Sequence, residues 1–494
     1  MKTLKTILLV GALTLFGMVT YAQQKTHVFS QIASANTSSY FIRDDSTLWS
    51  AGWNADGELG VPEAGERTGV IQLMSHDHDW VFAAGGRSAA FFIKNDGSMW
   101  AVGSNEKSLQ GTGNELRKNK VLTRIGEDND WKYVTASRFW GYNGFAIKTD
   151  GTLWGWGDNE SGILDPDKKA KTTPVQIGSD NDWLKVASGQ GTILAIKTDG
   201  SLWAWGSNMT GSLGLGIKDN TVVMKPTRVG SDNDWIDISC VELRSYAKKK
   251  DGTWYSAGYN DGRNLLGFKG YSPEGEFDTF NEFKKLDLID QPIIFIGGYG
   301  ETTMIGVGEG DEITQIFGWG SLADYALGNG KGYLFGSTKV LPPVTVPTSP
   351  SIKSGIRFKQ MATGLAFTIV LDENGKAYGW GSNRGGMLVD GTSDPEELKT
   401  SVFKKPTEIE CPQDKVNVSV SNIVSSDLFR IEGLSIMIGD KVDLLNIYSG
   451  DGRILYRASG LNSGDILNFS NMKHDILIIK AVSNEQSQVE KVIL

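Results

Sequence analysis

An all-β fold built from one repeated unit is predicted for most of this 494-residue chain, and three observations predict it. A ten-residue phrase, Asp150-Gly-Thr-Leu-Trp-Gly-Trp-Gly-Asp-Asn159, returns as Asp199-Gly-Ser-Leu-Trp-Ala-Trp-Gly-Ser-Asn208. Its skeleton recurs at Asp96 to Asn105, at Asp251 to Asn260 and in the stretch ending at Asn383, with a spacing of about 50 residues that falls in the range of propeller blades. Within each copy, short apolar runs alternate with Asp-Gly or Asn-Gly turns, the pattern of tight β-hairpins.

Composition agrees with such a fold. The chain has 61 Gly, 15 Trp and 13 Pro. Glycine this abundant without a Gly-X-Y period indicates turns and close backbone approaches, and the aromatic content is too rich for disorder. The net charge of -9 argues against wrapping nucleic acid, which needs a basic field. At the N-terminus, Lys2 and Lys5 precede an apolar run from Ile7 to Val19, and Thr20-Tyr21-Ala22 supplies small residues for cleavage. Residues 1–22 are therefore expected to be a secretory signal. No other apolar stretch is long enough to span a membrane, so no membrane span is expected in the mature chain. For Cys240 and Cys411 a disulfide stays open, and a buried free thiol is the expected state of Cys240.

Aligned on its glycine, the repeat gives Gly52, Gly103, Gly157, Gly206, Gly258, Gly320 and Gly381. Three residues earlier stand Trp49, Trp100, Trp154, Trp203, Tyr255, Phe317 and Tyr378, expected to fill the space between blades. Two residues later stand Asn54, Asn105, Asn159, Asn208, Asn260 and Asn383, with Leu322 the exception. A second marker, Trp80, Trp131, Trp183 and Trp235, follows Asp-His-Asp or Asp-Asn-Asp. One hairpin cannot bury its own apolar face, whereas blades packed around an axis can.

The phrase Asp-Gly-x-Leu-Trp-x-Trp-Gly-x-Asn, followed by Gly211-Ser212-Leu213-Gly214, resembles the repeat of the regulator of chromosome condensation family, over residues 29–410. The resemblance implies a seven-bladed β-propeller, which the count of units matches. It further implies recognition of proteins by one propeller face. Two units carry extensions, Gly267 to Lys285 and the proline-bearing Tyr325 to Ile356, both expected on one face as a binding rim or as variable solvated loops.

After Cys411-Pro412 the repeat stops. Runs at Val416, Leu428, Leu444, Arg453, Ile476 and Val489 predict a small C-terminal β-sandwich over 416–494. Ile447-Tyr448-Ser449-Gly450-Asp451-Gly452-Arg453 and the closing Glu490-Lys491-Val492-Ile493-Leu494 are similar to the sorting domain of the Bacteroidetes type IX secretion system, although His474-Asp475-Ile476 replaces the Gly-x-Tyr of that pattern. That resemblance implies the secretion machinery as a partner.

The sequence presents no nucleophile triad, phosphate loop or zinc spacing, so no catalytic residue, metal or cofactor is expected. His76-Asp77-His78-Asp79 overlaps the repeated acidic turn, for which backbone bonding is expected and calcium ligation is the alternative. Candidate binding residues are those that break the repeat on loops: Arg138, Phe139, Trp140 and Tyr142 in the third unit, with Arg244, Tyr299 and Glu301 at corresponding positions later. The expected function is a secreted or cell-surface, outer-membrane-associated protein that binds a protein or glycan through one propeller face. The alternative is a secreted hydrolase or lyase with carboxylates at the axial funnel.

Overall fold

The computed structural model describes residues 26–494 apart from 140, 219, 273–276, 339–340, 414–428, 433–434, 439–441, 450–453, 463–464, 469–475, 484–485 and 494. The expected signal segment 1–22 lies outside the described residues. The chain divides into two compact units, 1–412 and 413–494. The first is all-β, made of four-stranded antiparallel sheets that each take consecutive strands, over 29–75, 80–124, 131–176, 183–228 and 235–285. The sixth and seventh repeats, 293–348 and 358–409, run on as one eight-stranded sheet through a single bridge between Ile313 and Phe358.

The recurring phrase is a chemical unit. Asp150 Oδ1 accepts both the Thr152 N–H (2.9 Å) and the Thr152 hydroxyl (2.7 Å), and that hydroxyl oxygen accepts the Trp154 indole N–H (2.9 Å). Asp199, Ser201 and Trp203 repeat the relay, as do Asp45, Thr47 and Trp49. Gly151 completes the turn at φ +83°, where a Cβ would lie 2.1 Å from the Asn181 carbonyl oxygen of the next linker. Its own carbonyl accepts the Trp183 N–H at 3.0 Å, so the turn of one sheet seats the first residue of the next.

The acidic linkers do more than turn. Lys197, the register partner of Trp183, holds its ammonium 2.7 Å from Asp180 and 2.9 Å from Asp182, and 4.8 and 4.9 Å from the ring centres of Trp183 and Trp203. Lys94, Lys148 and Lys249 repeat this clasp in their own sheets. The carboxylates weighed as calcium ligands are thus engaged by ammonium groups.

Packing between sheets adds a second, more deeply buried filler to the one expected. Side chains two apart share a face, so Trp154 and Trp156 both turn toward the preceding sheet. Trp154 stays half-buried, edge-on to Trp131 of its own sheet at 5.9 Å. Trp156, the residue directly before the glycine, takes the buried place: it packs 5.6 Å from Phe91 and donates its indole N–H to the Leu109 carbonyl at 2.7 Å. Trp319 and Trp380 reach the Asn264 and Ala326 carbonyls in the same way. The repeated asparagine organises the following loop: Asn159 Oδ1 accepts the Leu164 N–H at 2.9 Å, and Asn383 Oδ1 accepts that of Leu388 at 2.7 Å. In the sixth unit, where Leu322 offers no acceptor, Asp324 takes the Phe335 N–H at 2.9 Å.

The first and last repeats meet. Phe29 N–H bonds the Gly375 carbonyl (2.9 Å), Leu365 N–H bonds that of Asn36 (2.7 Å), and Phe29, Ile32 and Phe41 share a core with Ile369, Leu371 and Leu388. Both extensions join third to fourth strands, which places them at the same end of their sheets. They are shorter as loops than the sequence suggests, because Phe277–Lys285 and Val344–Thr348 are outermost strands. Pro347 lies on such an edge, where a missing N–H costs no ladder bond.

In the unit 413–494, Phe429–Glu432, Ser435–Ile438 and Ile466–Asn468 form one sheet. Val442–Ser449, Ile454–Leu461, Ile476–Ser483 and Gln486–Ile493 form a second. The run expected at Val416 lies outside the described residues.

Two outcomes follow from this packing. Lys197→Met removes the ammonium and leaves two carboxylates against indoles; urea unfolding is expected to show a loss of about 1–3 kcal/mol. Lys376→Met, at the exposed pair with Glu408, leaves the urea midpoint at the wild-type value, because solvent screens that pair. Glu58 supplies the second. It is 1 % exposed, with Oε1 lacking a hydrogen-bond partner, and burial pushes its carboxyl up to about 8 from 4.5. The folded chain therefore holds this proton more tightly than the unfolded chain. Its contribution is full below about pH 4.5 and declines as pH rises toward 8. Glu58→Gln is expected to match wild type near pH 4.5 and to be more stable at pH 8, by an amount on the order of a few kcal/mol, in denaturation series across pH.

Candidate binding cleft on the loop face

In a four-stranded meander the loops joining strands one to two and three to four emerge at one end, and the Asp-Gly turns and acidic linkers at the other. The first strands line an axial channel of about 270 Å³, which Ser34, Tyr133, Cys240 and Thr363 help to form. Cys240 and Cys411 form no disulfide, and burial pushes the Cys240 thiol up to about 12.

Arg138 and Phe139, from the first loop of the third repeat, cross the loop end of this channel. Arg138 donates from Nη2 to the Ser34 carbonyl at 2.8 Å and from Nη1 to the Thr363 carbonyl, bonding the first and seventh repeats from the third. Phe139, at φ +60°, reaches Tyr299 of the sixth repeat with ring centres 5.9 Å apart. Arg138 is therefore a brace across the channel, in contrast to the free interface cation expected. Trp140 lies outside the described residues. Tyr142 stands apart, under the Arg87 guanidinium at 4.4 Å, beside a separate cavity of about 180 Å³.

A cleft of about 430 Å³ opens beside the brace, between loops of the fifth, sixth and seventh repeats. Phe139, Tyr259, Tyr299 and Phe335 are its aromatic walls, and Glu242 and Glu301 its carboxylates. Such a volume lies within the range of ligand-binding clefts, roughly 300–1,000 Å³. Burial raises the Tyr299 hydroxyl well above the ordinary tyrosine range. Glu301 is exposed and pairs with Arg263 at 2.7 Å, and Arg263 pairs in turn with Asp261. Arg244 is 1 % exposed and spends its donors on Thr303 Oγ1 (2.9 Å) and the Gly300 carbonyl (2.6 Å). It holds the cleft floor, so the expectation of an exposed contact is corrected: a buried guanidinium must satisfy its donors within the fold.

Four of the residues singled out in the sequence, Phe139, Arg244, Tyr299 and Glu301, thus line one cleft. Glu242, Tyr259 and Phe335 were missed. Phe335 sits in the proline-bearing extension, which was the signal available for it; Glu242 carries none, because its partners Gln190 and Gly300 come from the two neighbouring repeats. Among the described residues, His27, Asp44 and Asp45 form a histidine–carboxylate cluster, but His27 Nδ1 already bonds Asp44 at 2.6 Å and Asp45 pairs with Arg43.

The brace makes a prediction. Arg138→Ala opens the loop end of the channel, and maleimide labelling of Cys240, followed by peptide mass spectrometry, is expected to accelerate several-fold. An unchanged rate would show that Arg138 does not limit access.

Comparison with known proteins places these features in a family context. Models of the regulator of chromosome condensation repeat match residues 199–241 and 358–386. The RCC1 domain-containing protein RUG3, mitochondrial, of Arabidopsis thaliana is 27% identical over 295 residues, covering 58% of this chain and 61% of that protein's length. The chain thus spans less than two thirds of this curated relative. Among solved structures, human WBSCR16 superposes with a TM-score of 0.59 at 18% identity, covering 74% of this chain and 94% of that one. Prp20p of Saccharomyces cerevisiae superposes at 0.62 with 18% identity, covering 78% and 88%. The mitochondrial relative overturns the expected secreted or cell-surface placement, and with it the surface-exposed function and the secretory alternatives built on it. A lysine-flanked apolar leader carries little that tells one address from another. Among the described residues no helix is long and apolar enough to cross a membrane. The chain carries regulator of chromosome condensation repeats at 199–241 and 358–386, on an all-β frame of four-stranded sheets similar in fold to human WBSCR16 and yeast Prp20p.

Proposed function

We propose that residues 29–410 form a non-catalytic scaffold that docks a protein partner on the loop face, with the cleft between the fifth, sixth and seventh repeats as its anchor, and that 416–494 form a separate β-domain. The observation that carries this reading is convergence. Phe139, Tyr259, Tyr299 and Phe335 come from separate loops of the chain and wall one cleft, and Phe335 is 72% exposed. Exposed aromatic side chains at a concave site are the usual carriers of binding energy between proteins. The likeness to Prp20p, a protein with reported binding to Gsp1p and histones, supports a protein as the partner. In this reading Phe139 and Glu301 touch the partner, buried Tyr299 backs Phe139, and Arg138 and Arg244 position the loops that carry them.

Affinity capture with purified full-length chain tests the reading. Phe335→Ala is expected to weaken partner retention by roughly five- to thirtyfold, since hot-spot truncations cost about 1–2 kcal/mol or more. Its thermal midpoint should stay at the wild-type value, because the ring has little packing to lose. Full retention by Phe335→Ala, with loss instead in Val81→Asp at the opposite end of the sheets, would overturn it.

A further inference from the structure

Glu242 is the group in the cleft that the repeat does not explain. It lies in the short loop between the first two strands of the fifth repeat, with its backbone at φ +50°, a region L-residues avoid unless the surroundings impose it. Its carbonyl accepts the Gln190 N–H at 3.0 Å, and its Oε1 accepts the Gly300 N–H at 2.7 Å. Two neighbouring repeats thus fix both ends of the residue. The carboxylate is half-buried and burial raises its pKa, with Arg244 acting the other way. Yet Arg244 forms no ion pair with it, because its guanidinium is committed to Thr303 Oγ1 and to the carbonyls of Gly300 and Thr302. Among the described residues no lysine, arginine or histidine nitrogen lies within 4.0 Å of the Glu242 carboxylate.

A carboxylate held away from water without a cation is costly, and the cost is relieved when a cation arrives. The walls beside it are aromatic: Tyr299 and Phe139 stand edge to face at 5.9 Å, and Tyr259 lines the same cleft. The other carboxylate there, Glu301, already has Arg263. We propose that Glu242 receives the guanidinium of an arginine side chain presented by the partner protein, laid against the aromatic wall of the cleft. Arginine fits better than lysine. Its planar, weakly hydrated head stacks on rings and presents paired donors to a carboxylate, whereas an ammonium is a compact, strongly hydrated charge. A negative group would meet two glutamates, and a purely apolar anchor would cover Glu242 without supplying a counter-charge. The inference rests on the reading of the loop face as the docking face.

The test uses the full chain and three probes, N-acetyl-arginine amide, N-acetyl-norleucine amide and N-acetyl-glutamate amide, with binding followed by saturation-transfer NMR and calorimetry. The arginine probe is expected to bind at least about tenfold more tightly than the other two. Glu242→Gln, close to isosteric, should remove that preference, and Phe139→Leu should weaken arginine binding several-fold while leaving the charge in place. Both variants are compared at equal thermal stability, and Glu301→Gln controls for general charge in the cleft. Equal binding of norleucine and arginine, or an arginine preference that survives Glu242→Gln, overturns the inference. If partner capture depends on Phe335 while no probe prefers Glu242, the docking face stands and the arginine inference falls. If arginine binds through Glu242 while partner capture ignores Phe335, the pocket chemistry stands and the docking reading falls.

Discussion

An ammonium pinned between two aromatic faces and two aspartates sets the corner at which one sheet hands the chain to the next. The lysine ends the second strand, its register partner tryptophan begins the first, and the aspartates belong to the linker arriving from the preceding sheet. Removing water from this ammonium would be unfavourable alone; two carboxylates and two ring faces compensate it together. The linker is thereby held so that the tryptophan N–H meets the carbonyl of the preceding Asp-Gly turn. Repeats two to five use this corner. The first substitutes Arg43, which faces Asp45 and Trp49 and reaches the Pro412 carbonyl. The sixth and seventh pair Ile293 with Val307 and Phe358 with Asp372, and there the sheets are joined through strand bridging.

How far the sequence could be read follows from which groups act within one repeat. Asp150, Thr152 and Trp154 act on one another, as does Asn159 on the loop five residues on, so their spacing alone displays the hairpin and its loop. The lysine clasp spans 17 residues between Lys197 and Asp180, and only the aspartates stood out, because a lysine at a strand end looks like solvated charge. Trp154 does pack between sheets, half-buried, but the more deeply buried filler Trp156 beside it was missed for a related reason. Trp154 and Trp156 share a face, and period alone does not say which of two tryptophans reaches the buried place.

The cleft was half legible. Phe139, Tyr299 and Glu301 interrupt the repeat and stood out for that reason, yet Arg244 interrupts it as well and serves the floor. Glu242 acquires its meaning from Gln190 and Gly300, more than fifty residues away on either side, and no local pattern carries that. The placement outside the cell failed where a short leader was asked to specify an address. Local rules are broken where the cleft lies: three non-glycine residues with left-handed backbones, Phe139, Glu242 and Ala366, face it from different repeats. Concentrated departures of this kind are expected where a fold gives up regularity for recognition.

Each sheet of the repeat unit is drawn from one unbroken stretch of chain, so no strand is lent across the gap between the first and last repeats. That seam is held by the Phe29–Gly375 and Leu365–Asn36 main-chain bonds and the shared core around Phe41 and Ile369. A ring closed without a shared strand has one boundary at which neighbours are not covalently consecutive. It also makes the order of the repeats, more than the position of the ends, the property that defines the molecule. Cutting the chain at any exposed Asp-Gly turn and joining the seam would rotate the sequence around the same circle.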